Sequence, residues 1–150
     1  MQVIGTQYRS GGEYGDFSWM LEQSKYDDAL FVFNDNEPQF LAFLQDQTPG
    51  SYGCQAGGGN AGIRAYRCVK PPRAQGIPTG TTQGYPKLTP EVKGVIDESL
   101  DLIRRTLAAG SYDRVFYSAA NDDGDLGTGI FQVGDEVKSY IVAELRKLAD

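Results

Sequence analysis

Residues 29–33 read Ala-Leu-Phe-Val-Phe, an unbroken apolar run closed by Asn34-Asp35-Asn36. A strand wetted on one side alternates apolar and polar positions, whereas a continuous run needs apolar cover on both faces. Such a strand belongs in the middle of a layered α/β sheet, and the rest of the chain must supply its neighbours and its layers. Gln2–Tyr8 reads as an opening strand and Arg114–Ala119 as a later one. Asn36 followed by Gln39 resembles a capping box, and Pro38 suits a first helical turn. Phe40, Leu41, Phe43 and Leu44 then give a short helix its apolar face, so 29–47 is a strand–turn–helix unit.

Thr89-Pro90-Glu91 marks a second helix start: a capping hydroxyl, proline at the first position and an acid in the first turn. Val92, Val95, Ile96, Leu100, Ile103 and Leu107 recur at helical spacing until Gly110 stops the pattern. A final helix is expected from Asp135, with Val137, Ile141, Leu145 and Leu148 turned inward. A chain of 150 residues suits one core. The expected fold is one α/β domain over residues 1–150, a mixed central sheet flanked by helices with a long glycine-rich ligand-binding segment. In such sheets ligands sit at the carboxyl ends of the strands, where Asn34–Asn36 and Asn121–Gly129 would both lie.

Composition narrows the chemistry. The chain has no histidine, which removes histidine triads, Cys–His dyads and the commonest zinc ligand sets. An enzyme would be left with carboxylate or tyrosine chemistry. Asp122, Asp123 and Asp125 resemble the start of a calcium loop, but the spacing and the closing glutamate are missing, so a solvated turn and no metal are expected. Cys54 and Cys68 lie fourteen residues apart, and without an export signal two reduced thiols in the cytoplasm are expected. No apolar stretch approaches the roughly 20 residues of a membrane-spanning helix.

A net charge of −6 argues against a nonspecific DNA or RNA binder. The charge is unevenly spread. Between Asp46 and Glu91 there are five bases (Arg64, Arg67, Lys70, Arg73 and Lys87) and no acid. Either a local anion site or a mobile loop fits that asymmetry.

The same middle segment, 48–86, shows no helical periodicity, although Ile63–Tyr66 has the look of a pairing strand. It contains GGGNAGIR (57–64), whose glycines let backbone amides approach an anion. Asn60 and Arg64 are the candidate contacts there, the arginine to phosphate. In GIPTG (76–80) a proline-fixed turn presents the Thr79 hydroxyl, and Thr128 repeats the arrangement in DLGTGIF just before an apolar pair. Tyr85, between Gly84 and Pro86, reads as an exposed aromatic on which a base can stack, with Lys87 beside it. A surface turn is the plain alternative for each run. Phe17 and Trp19 are expected in the core.

Taken in order, YRSGGEYGDFSWM, FVFNDN, GGGNAGIR, AQGIPTG, VIDESL and YSAANDDGDLGTGIF resemble the phage Thoeris anti-defence sponge proteins of the first type. The resemblance runs from Thr6 to the last helix, with QDQTPGSYGCQA (45–56) as a longer insertion ahead of the glycines. It implies a non-enzymatic protein of the infected host's cytoplasm that binds cyclic ADP-ribose isomers without cleaving them, so that the downstream effector stays silent. It further implies binding of cyclic oligonucleotide signals at separate sites and a homo-oligomer built on dimers, with ligand pockets between protomers. Arg64 and Tyr85 are the positions it maps to phosphate and base. Two other classes fit the residues: an ADP-ribose-processing hydrolase using Asp35 or Asp122–Asp125 as base, and an interaction module whose Arg64–Arg73 tract meets an acidic partner.

Overall fold

The computed structural model describes residues 1–149. Four strands, β1 (Gln2–Gln7), β2 (Ala29–Asp35), β3 (Ala74–Pro78) and β4 (Arg114–Ala119), form one sheet in the order β1-β4-β2-β3. Every pairing is parallel. The sheet is thus parallel throughout and not mixed, because each of the first three strands is followed by a crossover long enough to return to the starting edge, and none by a hairpin turn. The helices are α1 (Phe17–Met20), α2 (Glu37–Gln45), α3 (Pro90–Ala109) and α4 (Asp135–Arg146). None of the described helices is long and apolar enough to cross a membrane.

β2 is central and buried on both faces, as its composition requires. Leu30 and Val32 point to one side with Val115 and Tyr117 of β4, under Ile96, Leu100 and Ile103 of α3 and Val137, Ile141 and Leu145 of α4. Phe31 and Phe33 point to the other, with Phe116, under Phe17, Met20 and Ile63. The Phe31 and Phe116 rings stack with centroids 5.3 Å apart, and Phe17 meets Phe31 edge-on at 5.2 Å. Gly76 of β3 makes this packing possible: a Cβ there would fall 2.8 Å from the Phe33 ring and 2.9 Å from the Asp35 Cβ.

The helix signals act as read. Asn36 accepts from the Gln39 amide at the start of α2, and Thr89 accepts from the Val92 amide at the start of α3. The α2 apolar face is narrower than expected, since Phe40 and Phe43 are buried and Leu41 is exposed.

The second layer of the sheet is the surprise. Gly59–Cys68 is a 3-10 helix, not a strand over Ile63–Tyr66. Its buried residues Asn60, Ile63, Arg64 and Arg67 recur every three to four positions, which suits a tight helix lying on the sheet. GIPTG is likewise not a free turn, because its first three residues belong to β3. Cys54 and Cys68 form a disulfide rather than two thiols. It pins the end of this 3-10 helix to the turn Tyr52–Cys54, beside Phe43 of α2.

Candidate functional site

All four strands point their carboxyl ends at one cleft of about 980 Å³. Its floor is Asn34–Asn36 at the end of β2, Ser118–Ala120 at the end of β4, Thr79–Gly80 beyond β3 and Gln7–Tyr8 at the end of β1. Gly57–Ala61 with Arg64 and Leu126–Phe131 with Lys138 complete the wall. The volume is that of a site for a nucleotide-sized ligand. The meeting of Asn34–Asn36 with the β4 loop agrees with the expectation, and the Asn34 side-chain amide donates to the Gly127 carbonyl at 2.6 Å.

Under the cleft lies a buried charge cluster. Asp35 ends β2 on the same face as Phe33. Its Oδ1 accepts from Arg64 Nε at 3.1 Å and lies 3.0 Å from Arg64 Nη2, while Oδ2 accepts from Arg67 Nη1 at 2.5 Å. Oδ1 also accepts the Asn36 amide at 2.8 Å. Arg64 spends Nη1 on the Gln55 carbonyl, and Arg67 spends Nε and Nη2 on those of Gly53 and Gln39. Both guanidiniums lie 5.4 Å from the Phe33 ring centroid, and Arg67 lies 4.5 Å from that of Phe43. Burial holds the Arg67 guanidinium below its ordinary value, and Asp35 offsets only part of that lowering.

The expected anion patch therefore dissolves. Arg64, only 3% exposed, is a fixed brace for Asp35 and not a free phosphate contact. Arg67 is its twin, and Arg73 is turned to the carbonyls of Leu21 and Tyr26. Lys70 and Lys87 remain exposed, and Lys87 is not among the residues of the cleft wall.

The structure brings Asn60, Arg64, Thr79 and Thr128 together on the cleft and leaves Tyr85 and Lys87 outside it. Asn60 is a structural post. It accepts the Phe17 amide at 2.9 Å and donates to Ser118 Oγ at 3.0 Å and to the Gly15 carbonyl at 3.3 Å, tying α1 to β4. Thr79 donates its backbone amide to the Asp35 carbonyl at 3.0 Å. The Thr128 hydroxyl donates to the Phe131 carbonyl at 2.9 Å.

Tyr85 is not an exposed platform. It is 4% exposed in the core under α3 and α4, and its hydroxyl donates to Glu37 Oε1 at 2.7 Å. Burial first, and then the bond to Glu37, push the phenol far above its ordinary range, so it stays a neutral donor. Tyr85→Phe is expected to lower stability by about 1.5 kcal/mol, the value of a hydrogen bond to a charged group on a half-buried partner. Ligand affinity should not change. Urea titration and calorimetry check both, and a loss of affinity at unchanged stability would return Tyr85 to the site.

What the wall offers a ligand is mainly neutral. The amides of Gly58 and Gly59 enter no backbone hydrogen bond among the described residues, nor do those of Thr128, Gly129 and Ile130 in the β4–α4 loop. The first pair sits at the amino end of the 3-10 helix, where the helix dipole favours negative charge. Among the described residues Asp35 is the one carboxylate in the wall, and both its oxygens accept hydrogen bonds. Sequence reasoning placed Asn34 at the site but missed Gln7 and Phe131 as wall residues. The signal for Phe131 was visible: an apolar pair, Ile130-Phe131, inside a glycine-rich loop, with no periodic pattern to absorb it.

Comparisons with protein-family models, with curated proteins and with solved structures return no match to this chain.

Proposed function

We propose that the cleft takes up a cyclic ADP-ribose isomer and holds it intact, and that the chain thereby withdraws a Thoeris signal in the cytoplasm of a phage-infected bacterium. The observation that carries the reading is a nucleotide-sized cleft whose single carboxylate among the described residues is locked between two arginines. Hydrolysis needs a base that can reach its substrate's proton, and the Asp35 side chain is fully buried with each oxygen bonded to an arginine. Sequestration needs only donors fixed in advance. The free amides of Gly58–Gly59 and Thr128–Ile130 are suited to the two phosphates, which backbone N–H groups hold without a cation. The sequence resemblance supports the same reading and extends it to a homo-oligomeric working unit.

Protein incubated with the product of a TIR-domain enzyme, washed and heated should release the cyclic species unchanged in mass spectrometry. Linear ADP-ribose in the supernatant would instead establish the hydrolase. Affinity should also be flat between about pH 5 and 8, because histidine is the side chain that ordinarily titrates there and the chain has none. A bell-shaped profile of turnover would contradict sequestration.

A further inference from the structure

The wall of the cleft carries two of the most solvent-exposed large apolar side chains in the protein. Ile130 is 93% exposed and Phe131 is 52% exposed. Both belong to the loop between β4 and α4. The turn that presents them is held at both ends: the Phe131 amide donates to the Thr128 carbonyl at 3.2 Å, and the Thr128 hydroxyl donates to the Phe131 carbonyl at 2.9 Å. Gly129, at φ +61°, takes the left-handed conformation such a turn needs. The turn beneath this half-exposed ring is held, so little backbone freedom is left to lose when something covers the ring.

The occupant that fits is a planar aromatic ring. The wall beside Phe131 presents amides and hydroxyls, which suit the edge of a base and its sugar better than an aliphatic chain. Tyr8 is the other exposed aromatic of the cleft, one residue past the end of β1, but none of the described hydrogen bonds fixes its amide, carbonyl or hydroxyl. Tyr85 is buried elsewhere. We propose that Phe131 is the stacking platform for the purine base of the ligand and that Thr128 is the residue that positions it. The inference rests on the reading of the cleft as a nucleotide site, and it assigns the base to the β4–α4 rim, leaving the phosphates to the amides.

The test uses the full chain with two probes, the cyclic ADP-ribose isomers of a TIR-domain enzyme and AMP. Phe131→Ala and Phe131→Leu should each weaken binding by roughly 5- to 150-fold, the range for one base on one aromatic ring. Phe131→Tyr should bind like wild type. The adenine absorption band should show hypochromism on binding to wild type and Phe131→Tyr, and none with Phe131→Leu. Thr128→Val should lose part of the affinity and Thr128→Ser should restore it, with urea midpoints unchanged in all five variants. Wild-type affinity in Phe131→Leu, or a loss in Tyr8→Ala in place of Phe131→Ala, would overturn the assignment while the sequestration reading stands. Phe131-dependent binding of AMP without binding of any cyclic isomer would sustain the platform and remove the sponge. Failure of wild type to bind either probe would overturn both.

Discussion

Asp35→Ala is expected to destabilise the fold by about 3–5 kcal/mol, the cost of stranding a buried charge by deleting its partner. Here one carboxylate serves two guanidiniums, whose side chains are 4% and 0% exposed. Their remaining bonds to the Gln55, Gly53 and Gln39 carbonyls satisfy donors but do not neutralise charge. Against a total stability of about 5–15 kcal/mol such a loss is a large fraction, and urea titration will show it as a steep fall in midpoint. The triple change Asp35→Leu, Arg64→Met, Arg67→Met should recover most of the loss, because apolar groups of similar volume remove the charges together with their desolvation cost. A loss below about 1 kcal/mol in the single variant would mean that water reaches the cluster, and Asp35 would again be eligible as a base.

Removing the Cys54–Cys68 bridge should cost about 2–4 kcal/mol, whether by reduction or by the pair Cys54→Ser and Cys68→Ser. The bridge closes a loop with a sequence separation of 14, and the chain entropy returned to the unfolded state on opening a loop of about 15 residues is close to 3 kcal/mol. The closed loop contains the glycine rim and both arginines, so the effect should appear first as faster amide exchange over residues 54–68. Equal urea midpoints for oxidised and reduced protein would show that the Asp35 cluster alone fixes this layer.

The two results bear on what a sequence discloses. Elements made by local chemistry were legible. The apolar run of β2, the caps at Asn36 and Thr89 and the periodic face of α3 each depend on residues within a few positions of one another. What escaped depends on partners far along the chain. Arg64 and Arg67 stand in an acid-free segment and looked like free cations, yet their counter-charge arrives from the end of β2, 29 and 32 residues away. Tyr85 carries the local marks of an exposed turn, and Glu37, 48 residues distant, draws its hydroxyl inward. The cleft was legible as a place, since strand ends and glycine loops announce it, and four of six candidate residues line it. Their roles were not legible. Asn60, Arg64 and Thr128 direct their hydrogen bonds at the protein, and the surfaces left for a ligand are backbone amides and the Phe131 ring, which side-chain chemistry does not advertise.

The strand order sets a timetable for synthesis. β1 is made before the other three strands, but its neighbour in the sheet is β4, which lies between it and β2. While the ribosome works through the middle of the chain, β2 and β3 can pair with each other, whereas Gln2–Gln7 has nothing to pair with until Arg114–Ala119 has emerged. The apolar edge of β2 that receives β4 stays open for the same interval, and open edges recruit strands from other chains. The nascent protein is therefore most prone to aggregate just before β4 appears. A truncation ending near Gly110 should be insoluble although it carries most of the core residues, and addition of the missing strand closes the sheet on both sides at once.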